Sequence, residues 1–447
     1  MRSADLAGRH VGIWGFGREG KAALAYVDGH AREVTIVDEG GGGLALPSDI
    51  VSTVHVAGSE LAALESCDTV FVSPGVPMRH EYIGRLAEAS VRLVSGSGWW
   101  MVGNWARTIG VTGTKGKSST AKLIHHLLDR SGVDSVLAGN IGTALLELPD
   151  GTDAVVAELS SYQCAWLTRS PRIAVVTNLF EEHLPWHGSR EQYWRDKAKV
   201  FTRGAEHLVC DHATFDKVRG LGVADEFTGE VHLVDEHTGP ADGFFGGATG
   251  VERLPPAMRA PHSLRNLKVA AVAAELYAGP GRLSPDLAEA VESFEGLPHR
   301  LETIAEHDGI TWIDDCLSTA PESVIAAVES ADPAKPVVVI AGGQSRGISY
   351  RPLNDYLRAR SDRVYVVAMP ENGREATQEF AADFPERRLT ADGLEQAVPL
   401  AAGLLARSGG TVLLSPGAPS FDRYRNYEEK AEHYREVVRK WMAELRR

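Results

Sequence analysis

The chain has little cysteine: Cys67, Cys164, Cys210 and Cys316 are the four in 447 residues. Their spacing matches neither a zinc site nor a disulfide framework, so they are expected to be free thiols in a reducing compartment. Long basic runs are also missing, and the formal net charge is −14. A phosphate backbone needs a basic face, so nucleic acid is excluded as a partner, although a nucleotide is not. No apolar run is long enough to span a bilayer, and no leader-like apolar core precedes the first strand, which is expected by residue 10. A cytoplasmic protein without membrane or nucleic-acid partners is the expectation. No internal repeat is visible, and the one low-complexity patch, Gly40–Gly43, reads as a loop. Hydrophobic residues make up 43% of the chain, enough to fill the two or three domains its length suggests.

The richest stretch is Gly110-Val111-Thr112-Gly113-Thr114-Lys115-Gly116-Lys117-Ser118-Ser119. It follows the apolar entry Arg107-Thr108-Ile109 and leads into Thr120–Asp129, which reads as a helix. Strand, glycine-rich turn, Gly-Lys-Ser and helix form the arrangement that cradles a polyphosphate. Backbone N–H groups point at the anion, the lysine adds a cation, and the serine hydroxyl can hold Mg2+. The strict pattern G-x-x-x-x-G-K-[ST] is missed by one position, because residue 111 is Val and the nearest upstream glycine is Gly110. This is a variant phosphate loop.

Strands alternate with helices along the chain, which implies parallel sheets. The pattern predicts strands at His10–Trp14, Glu33–Val37 and Thr69–Ser73, with a helix over Lys21–Val27. A boundary is expected near the Gly/Trp/Asn-rich stretch Gly96–Trp105. The unit opened by the phosphate loop has strands Ala154–Ala157, ending in Glu158, and Ile173–Thr177, ending in Asn178. A third unit starts near Gly296-Leu297-Pro298-His299-Arg300. Its strands read Ile310–Ile313, Val337–Ala341, Arg363–Val367 and Thr411–Leu414, with helices Leu394–Ala406 and Glu428–Glu444. Ligands of open α/β sheets sit beyond the carboxyl ends of strands, so Glu158 and Asn178 are well placed for chemistry. Gly15-x-Gly17-x-x-Gly20, with Asp38 further on, matches a dinucleotide fingerprint in context. The physics asks only for a diphosphate at a helix N-terminus and an acceptor for hydroxyls. A UDP-sugar meets it as well as NAD does, and a tight structural turn is the bland alternative. A phosphate loop in the next unit argues against NAD.

Several further segments occur in order: Asn140-Ile141-Gly142, Glu158-Leu159-Ser160-Ser161-Tyr162-Gln163, and Thr177-Asn178-Leu179-Phe180-Glu181-Glu182-His183 with His187-Gly188. Then come Tyr193-Trp194-Arg195-Asp196-Lys197, His262-x-x-x-Asn266, Gly296–Arg300, Asp314-Asp315 and Ser415-Pro416. With the phosphate loop, these resemble the Mur ligases, the ATP-dependent amino-acid ligases of peptidoglycan precursor synthesis. The fit is closest to the glutamate-adding member, across essentially the whole chain.

The resemblance implies an α/β protein of three domains. They are a UDP-binding Rossmann-like domain over 1–106, a central ATP-binding parallel-sheet domain over 107–297, and an amino-acid-binding Rossmann-like domain over 298–447. Its implied substrates are ATP, UDP-N-acetylmuramoyl-L-alanine and glutamate, joined through an acyl phosphate. Gly113, Thr114, Lys115, Gly116, Lys117, Ser118 and Ser119 would bind ATP, with Asn266 at the adenine and Arg300 and Asp315 on the nucleotide. Two Mg2+ ions would lie on Ser118, Glu158, His183 and Lys197, the lysine being carbamylated. Taken alone, Lys197 reads as a solvated helix lysine, whereas a carbamate is an anion that can bind Mg2+. Lys117, Lys197 and His183 would be catalytic. Gly15, Gly17 and Asp38 would lie on the UDP, and Asn140 on the muramoyl-alanyl part. The family precedent favours a monomer.

The chain departs from the family where the amino acid would bind. The family's Asp-Ser-Lys-Ala-Thr-Asn appears as Asp315-Cys316-Leu317-Ser318-Thr319-Ala320. In D-glutamate-adding enzymes that lysine helps bind the incoming carboxylate, and Leu317 cannot pair with an anion. Arg346, Thr319 and Ser420 remain as anion-binding candidates, with Tyr427 where an aromatic is usual. Near the metal site, Glu182 stands for the customary Asp and Pro185-Trp186 for Asp-Arg. The intact ATP and metal residues point to altered stereochemistry or an altered substrate, not to lost activity. A resembling branch adds L-glutamate, and a separate epimerase inverts it later. Folylpolyglutamate synthases lack the Gly15–Pro77 unit. A nucleotide-binding regulator without turnover would not need Lys117, Glu158, His183 and Lys197 together.

Overall fold

The computed structural model describes residues 3–40, 46–149, 151–234, 258, 261–279, 281–283, 287–294, 296, 298–345, 348–370, 372–421 and 423–445, without the side chains of 261, 262, 287 and 288. Arg346, residues 41–43 of the glycine patch and the His262 side chain lie outside that set. Two compact units emerge: residues 1–251 with 265–294, and residues 252–264 with 295–447.

The first unit holds two sheets. One is built from β1 (His10–Trp14), β2 (Glu33–Val37), β3 (Thr53–Val56), β4 (Thr69–Val72) and β5 (Arg92–Val94), in the order β3-β2-β1-β4-β5. The other comprises β6 (Thr108–Thr112), β7 (Ser135–Gly139), β8 (Ala154–Glu158), β9 (Ile173–Val176), β10 (His207–Asp211) and β11 (Glu230–Val234), in the order β11-β10-β9-β6-β8-β7. All pairings in both sheets are parallel. Parallel strands are covered on both faces, which is why β1, β6 and β8 are buried along their whole length. Chain order reverses between β1 and β4 in the first sheet and between β6 and β9 in the second. Both reversals open a crevice at the carboxyl ends.

The glycine- and tryptophan-rich stretch lies in chain order between β5 and β6. It is a helix, Gly96–Asn104, capped by the Ser95 hydroxyl accepting from the Gly98 N–H at 2.9 Å. Its glycines serve close packing: a Cβ at Gly96 would lie 2.9 Å from Leu146 Cδ1, and one at Gly98 2.7 Å from the Trp166 carbonyl oxygen. Trp99, Trp100 and Met101 are buried, and all three join the core shared by both sheets. The helices after the two glycine loops also begin earlier than expected, at Arg18 and Lys117, directly after Gly17 and Gly116.

The second unit holds one sheet of β12 (Glu302–His307), β13 (Ile310–Asp314), β14 (Val337–Ala341), β15 (Val364–Ala368), β16 (Arg388–Thr390) and β17 (Gly410–Leu414), ordered β12-β13-β17-β14-β15-β16. β12 pairs antiparallel with β13 and carries a bulge, while the other pairs are parallel. The helices Leu394–Leu405 and Tyr427–Leu445 end within two residues of expectation. All four cysteines are buried free thiols, and burial pushes the Cys67 thiol up to about 12.

Candidate active site

β6 ends at Thr112, and the phosphate loop turns over Gly113 and Gly116 into the helix Lys117–Arg130. Both glycines have positive φ, +143° and +80°. A Cβ at Gly113 would lie 2.0 Å from Thr177 Oγ1, and one at Gly116 2.7 Å from Asn266 Nδ2. Only glycine fits either position. The loop is braced by the end of β9. Asn178 Oδ1 accepts from the Lys115 N–H at 2.8 Å, its Nδ2 donates to the Lys115 carbonyl at 2.9 Å, and Thr177 Oγ1 donates to the same carbonyl at 2.6 Å. Thr114 Oγ1 accepts from the Phe180 N–H at 2.9 Å and lies 3.1 Å from the Tyr193 hydroxyl. Lys115 pairs with Glu182. Lys117 Nζ donates to the Thr114 carbonyl at 3.0 Å, and Ser118 and Ser119 stand half-buried in the helix's first turn.

Beside this loop is a cavity of about 190 Å3, lined by Lys117, Asn140, Ser160, Ser161, Tyr162, Glu182, His183, Tyr193 and Lys197. Lys197 corrects the sequence expectation of a solvated lysine. It is 2% exposed, because the helix Arg190–Thr202 packs Tyr193, Asp196, Lys197 and Val200 inward. Its Nζ donates to the Gly113 carbonyl at 2.7 Å and to Thr112 Oγ1 at 3.3 Å. Burial first, then the Lys117 charge, pull its ammonium down to about 7.

Glu158 ends β8 and is buried. Its Oε1 accepts from Asn140 Nδ2 at 2.9 Å, while its buried Oε2 has no hydrogen-bond partner among the described residues. A buried carboxylate oxygen left in that state is what a cation would satisfy. His183 has φ +56°, and its Nδ1 lies 2.9 Å from the Tyr162 hydroxyl. Burial, opposed by Glu182 and aided by Lys197 and Lys117, holds its pKa below the usual histidine value. His187 is a different case: Asp196 Oδ2 lies 2.8 Å from Nδ1 and Ser161 Oγ 3.0 Å from Nε2, so both ring nitrogens are occupied. Tyr162 stacks on His187 at 5.6 Å and packs against Trp186 at 4.7 Å. The Trp186 indole N–H in turn donates to the Gly75 carbonyl at 3.0 Å.

In the first sheet, Gly15 has φ +90°, and a Cβ there would lie 2.6 Å from Ser73 Cβ. Gly17 precedes the helix Arg18–Val27 as its cap. Asp38 Oδ2 accepts from the Phe16 N–H at 3.0 Å and Oδ1 from the Gly40 N–H at 2.9 Å, so this carboxylate shapes the loop. Sequence reading missed Arg18, whose guanidinium donates to the Gly139 carbonyl at 2.6 Å and the Gly142 carbonyl at 3.2 Å. It ties the glycine loop to the segment carrying Asn140. Charge within a glycine fingerprint was the available signal.

In the second unit, Asp315 follows β13 and is buried, accepting from Ser318 Oγ, from Ser415 Oγ at 2.7 Å and from the Leu301 N–H at 3.3 Å. Burial dominates over these bonds and over Arg300, raising the carboxyl to about 6. Arg300 Nε is buried without a partner among the described residues, and so is the Ser420 hydroxyl. Leu317 and Thr319 are half-buried, and the Tyr427 ring meets His299 edge-on at 5.7 Å. Lys430 also escaped sequence reading. It is fully buried, and its Nζ donates to the Gly342 carbonyl at 2.7 Å. Buried lysines are rare enough that its helical spacing gave no warning.

Residues 111–214 match the model of the Mur ligase middle domain, and residues 299–417 that of the Mur ligase glutamate ligase domain. A UDP-N-acetylmuramoyl-L-alanine–L-glutamate ligase of a Micromonospora species is 40% identical, over 98% of both chains. Proteins of the same name from Salinispora tropica and Xanthomonas euvesicatoria are 38% and 33% identical over 98% of this chain, covering 99% and 97% of their own. The chain belongs to the Mur ligase family. Solved family structures share the fold. MurF from Thermotoga maritima in complex with ADP superposes at TM-score 0.56 with 16% identity, covering 98% of this chain and 97% of its own. MurF from Acinetobacter baumannii superposes at 0.58 with 16% identity, covering 98% and 93%. Like other Mur ligases, this one is an α/β enzyme with three sheets, an ATP-dependent acid–amino-acid ligase. None of its described helices is long and apolar enough to cross a membrane.

Proposed function

We propose that this Mur ligase joins L-glutamate to UDP-N-acetylmuramoyl-L-alanine in peptidoglycan precursor synthesis, working as a cytoplasmic monomer. Three functional divisions, 1–106, 107–297 and 298–447, would bind the UDP part, ATP and the amino acid. The observation that carries the reading is full-length identity of 40% to a ligase of that name. Leu317, standing where D-glutamate-adding relatives have lysine, supports the L-isomer.

The substrate carboxylate takes the γ-phosphoryl of ATP, giving an acyl phosphate, and the glutamate amine then displaces phosphate to form the amide. Phosphoryl transfer depends mainly on positioning and charge neutralisation. Gly113–Ser119 present backbone N–H groups and a helix N-terminus to the phosphates, and Lys117 supplies the mobile positive charge. Mg2+ would be held by Ser118, Glu158, His183 and a carbamylated Lys197, and would neutralise charge on the transferring phosphoryl group. The residues suit such a cation. Glu158 Oε2 is an unsatisfied buried oxygen, and Asn140 fixes the carboxylate through Oε1. A ligand role for His183 Nε2 requires the ring proton on Nδ1, donated to the Tyr162 hydroxyl oxygen, which the 2.9 Å contact permits. Lys197, with an amine near 7, is available to add CO2 at neutral pH.

Asn140 would contact the muramoyl-alanyl part, and Gly15, Gly17 and Asp38 the UDP. Asn266 and Arg300 would reach the nucleotide with Asp315, while Thr319, Arg346, Ser420 and Tyr427 would form the glutamate pocket. The L-glutamyl product would then be the substrate of an epimerase. The test is phosphate release with ATP, Mg2+ and UDP-N-acetylmuramoyl-L-alanine, offering L- and D-glutamate separately. Turnover with L-glutamate is expected, and equal or better turnover with D-glutamate would refute the assignment.

A further inference from the structure

Away from the phosphate loop, at the amino ends of β10 and β11, three side chains converge. We propose that His207, Glu230 and His232 form a binding site for one divalent transition-metal ion of the zinc class. The backbone places them together. His207 and Glu230 are register partners across the parallel pair, and His232 follows Glu230 by two residues. Side chains two apart on a strand share a face, as do register partners on neighbouring strands, so all three project from one side of the sheet.

The distances fit a metal. His207 Nδ1 lies 3.1 Å from His232 Nε2 and 3.3 Å from Glu230 Oε2, and His232 Nε2 lies 3.5 Å from that same oxygen. Zinc bonds of about 2.0–2.1 Å at tetrahedral angles put neighbouring ligand atoms about 3.3 Å apart. The triangle therefore matches three corners of such a site, with the fourth open to water.

Hydrogen bonding alone cannot satisfy this triangle. With the carboxylate ionised, Oε2 only accepts, so both ring nitrogens must donate to it. Two donating nitrogens then oppose each other across 3.1 Å. If either nitrogen accepts, it faces the carboxylate oxygen with lone pair against lone pair. One cation at the centre serves all three electron-pair donors at once. Two imidazoles and one carboxylate suit zinc, nickel or copper better than Mg2+ or Ca2+, which favour all-oxygen sets. Arg172, nearby in the fold, is engaged by Glu206 at 3.0 Å, so its charge is already matched. The ion would fasten the edge strand β11 to β10, at the opposite end of the sheet from Lys117.

The test uses the full chain and Zn2+ alone as probe, with Mg2+ and ADP in excess. Calorimetry compares the unaltered protein, His232→Ala and Glu230→Gln, with phosphate release as a check that each variant is folded. One Zn2+ equivalent should be present in the unaltered protein, absent from His232→Ala and weakened in Glu230→Gln, with unchanged turnover in all three. Zn2+ should also raise the thermal midpoint of the unaltered protein and of neither variant to the same degree. Glu230 is largely exposed, so Glu230→Gln should fold even if His232→Ala does not. Equal Zn2+ stoichiometry and affinity in the unaltered protein and Glu230→Gln would overturn the proposal.

Discussion

Replacing Lys197 by Met tests whether this buried amine is the group that reacts with CO2. An amine at its ordinary value of 10.5 is about 1 part in 3,000 neutral at pH 7, whereas one near 7 is about half neutral. Burial beside Lys117 thus enriches the nucleophilic form about a thousandfold. The sign follows from the direction of the shift. Acidification below 7 restores the ammonium, so between pH 7 and pH 6 the neutral fraction falls about fivefold and the carbamate falls at least as much at fixed dissolved CO2. Carbon NMR with labelled bicarbonate should show one protein carbamate signal at pH 7, smaller at pH 6 and missing from Lys197→Met. Turnover should drop in CO2-depleted buffer and return with bicarbonate, while Lys197→Met should stay slow in both. A carbamate signal of equal size in Lys197→Met would refute the reasoning, as would turnover indifferent to CO2.

Lys117→Ala should lower turnover at least a hundredfold, about the loss of one preorganised charge donor at a phosphoryl-transfer site, and near-normal phosphate release would exclude its role. Leu317→Lys should shift the ratio of kcat/KM for D- over L-glutamate upward by about tenfold or more, since a charged hydrogen bond is worth about 1.5–3 kcal/mol. An unchanged ratio would place stereochemical choice elsewhere. Asp315→Asn removes a buried carboxyl raised to about 6 from 3.8. A raised carboxyl weakens the fold fully above about 6 and not at all below 3.8, a span equivalent to about 3 kcal/mol. The thermal midpoint of Asp315→Asn relative to the unaltered protein should therefore fall as pH drops through that window, and a gap constant with pH would contradict the burial argument.

The phosphate loop, the strand ends at Glu158 and Asn178 and the alternation of strands with helices were legible because glycine, apolar periodicity and strand-end polarity are local signals. Lys197 was misread because nothing local distinguishes a buried lysine from a solvated one on a polar helix. Its burial follows from the Arg190–Thr202 helix turning that face toward β6 and β9. The helix within Gly96–Trp105 was not legible either. Glycine normally marks a loop, but here it thins a helix so that Leu146 and Trp166 can approach. Arg18 and Lys430 act on carbonyls 121 and 88 residues away, and such pairings are tertiary facts.

The buried helix Gly96–Asn104 also bears on how such a protein can be cut and recombined. Trp99 and Trp100 belong to one continuous core that includes Ile13 and Val34 of the first sheet and Ala138, Val155 and Val176 of the second. A chain severed after residue 106 would leave large aromatic surface without its partners on the remaining piece, an invitation to aggregate. The two sheets should therefore unfold in one cooperative step. In exchanges among relatives, the piece that gives UDP recognition should travel with the piece that gives ATP recognition, leaving the C-terminal unit as the part most readily swapped.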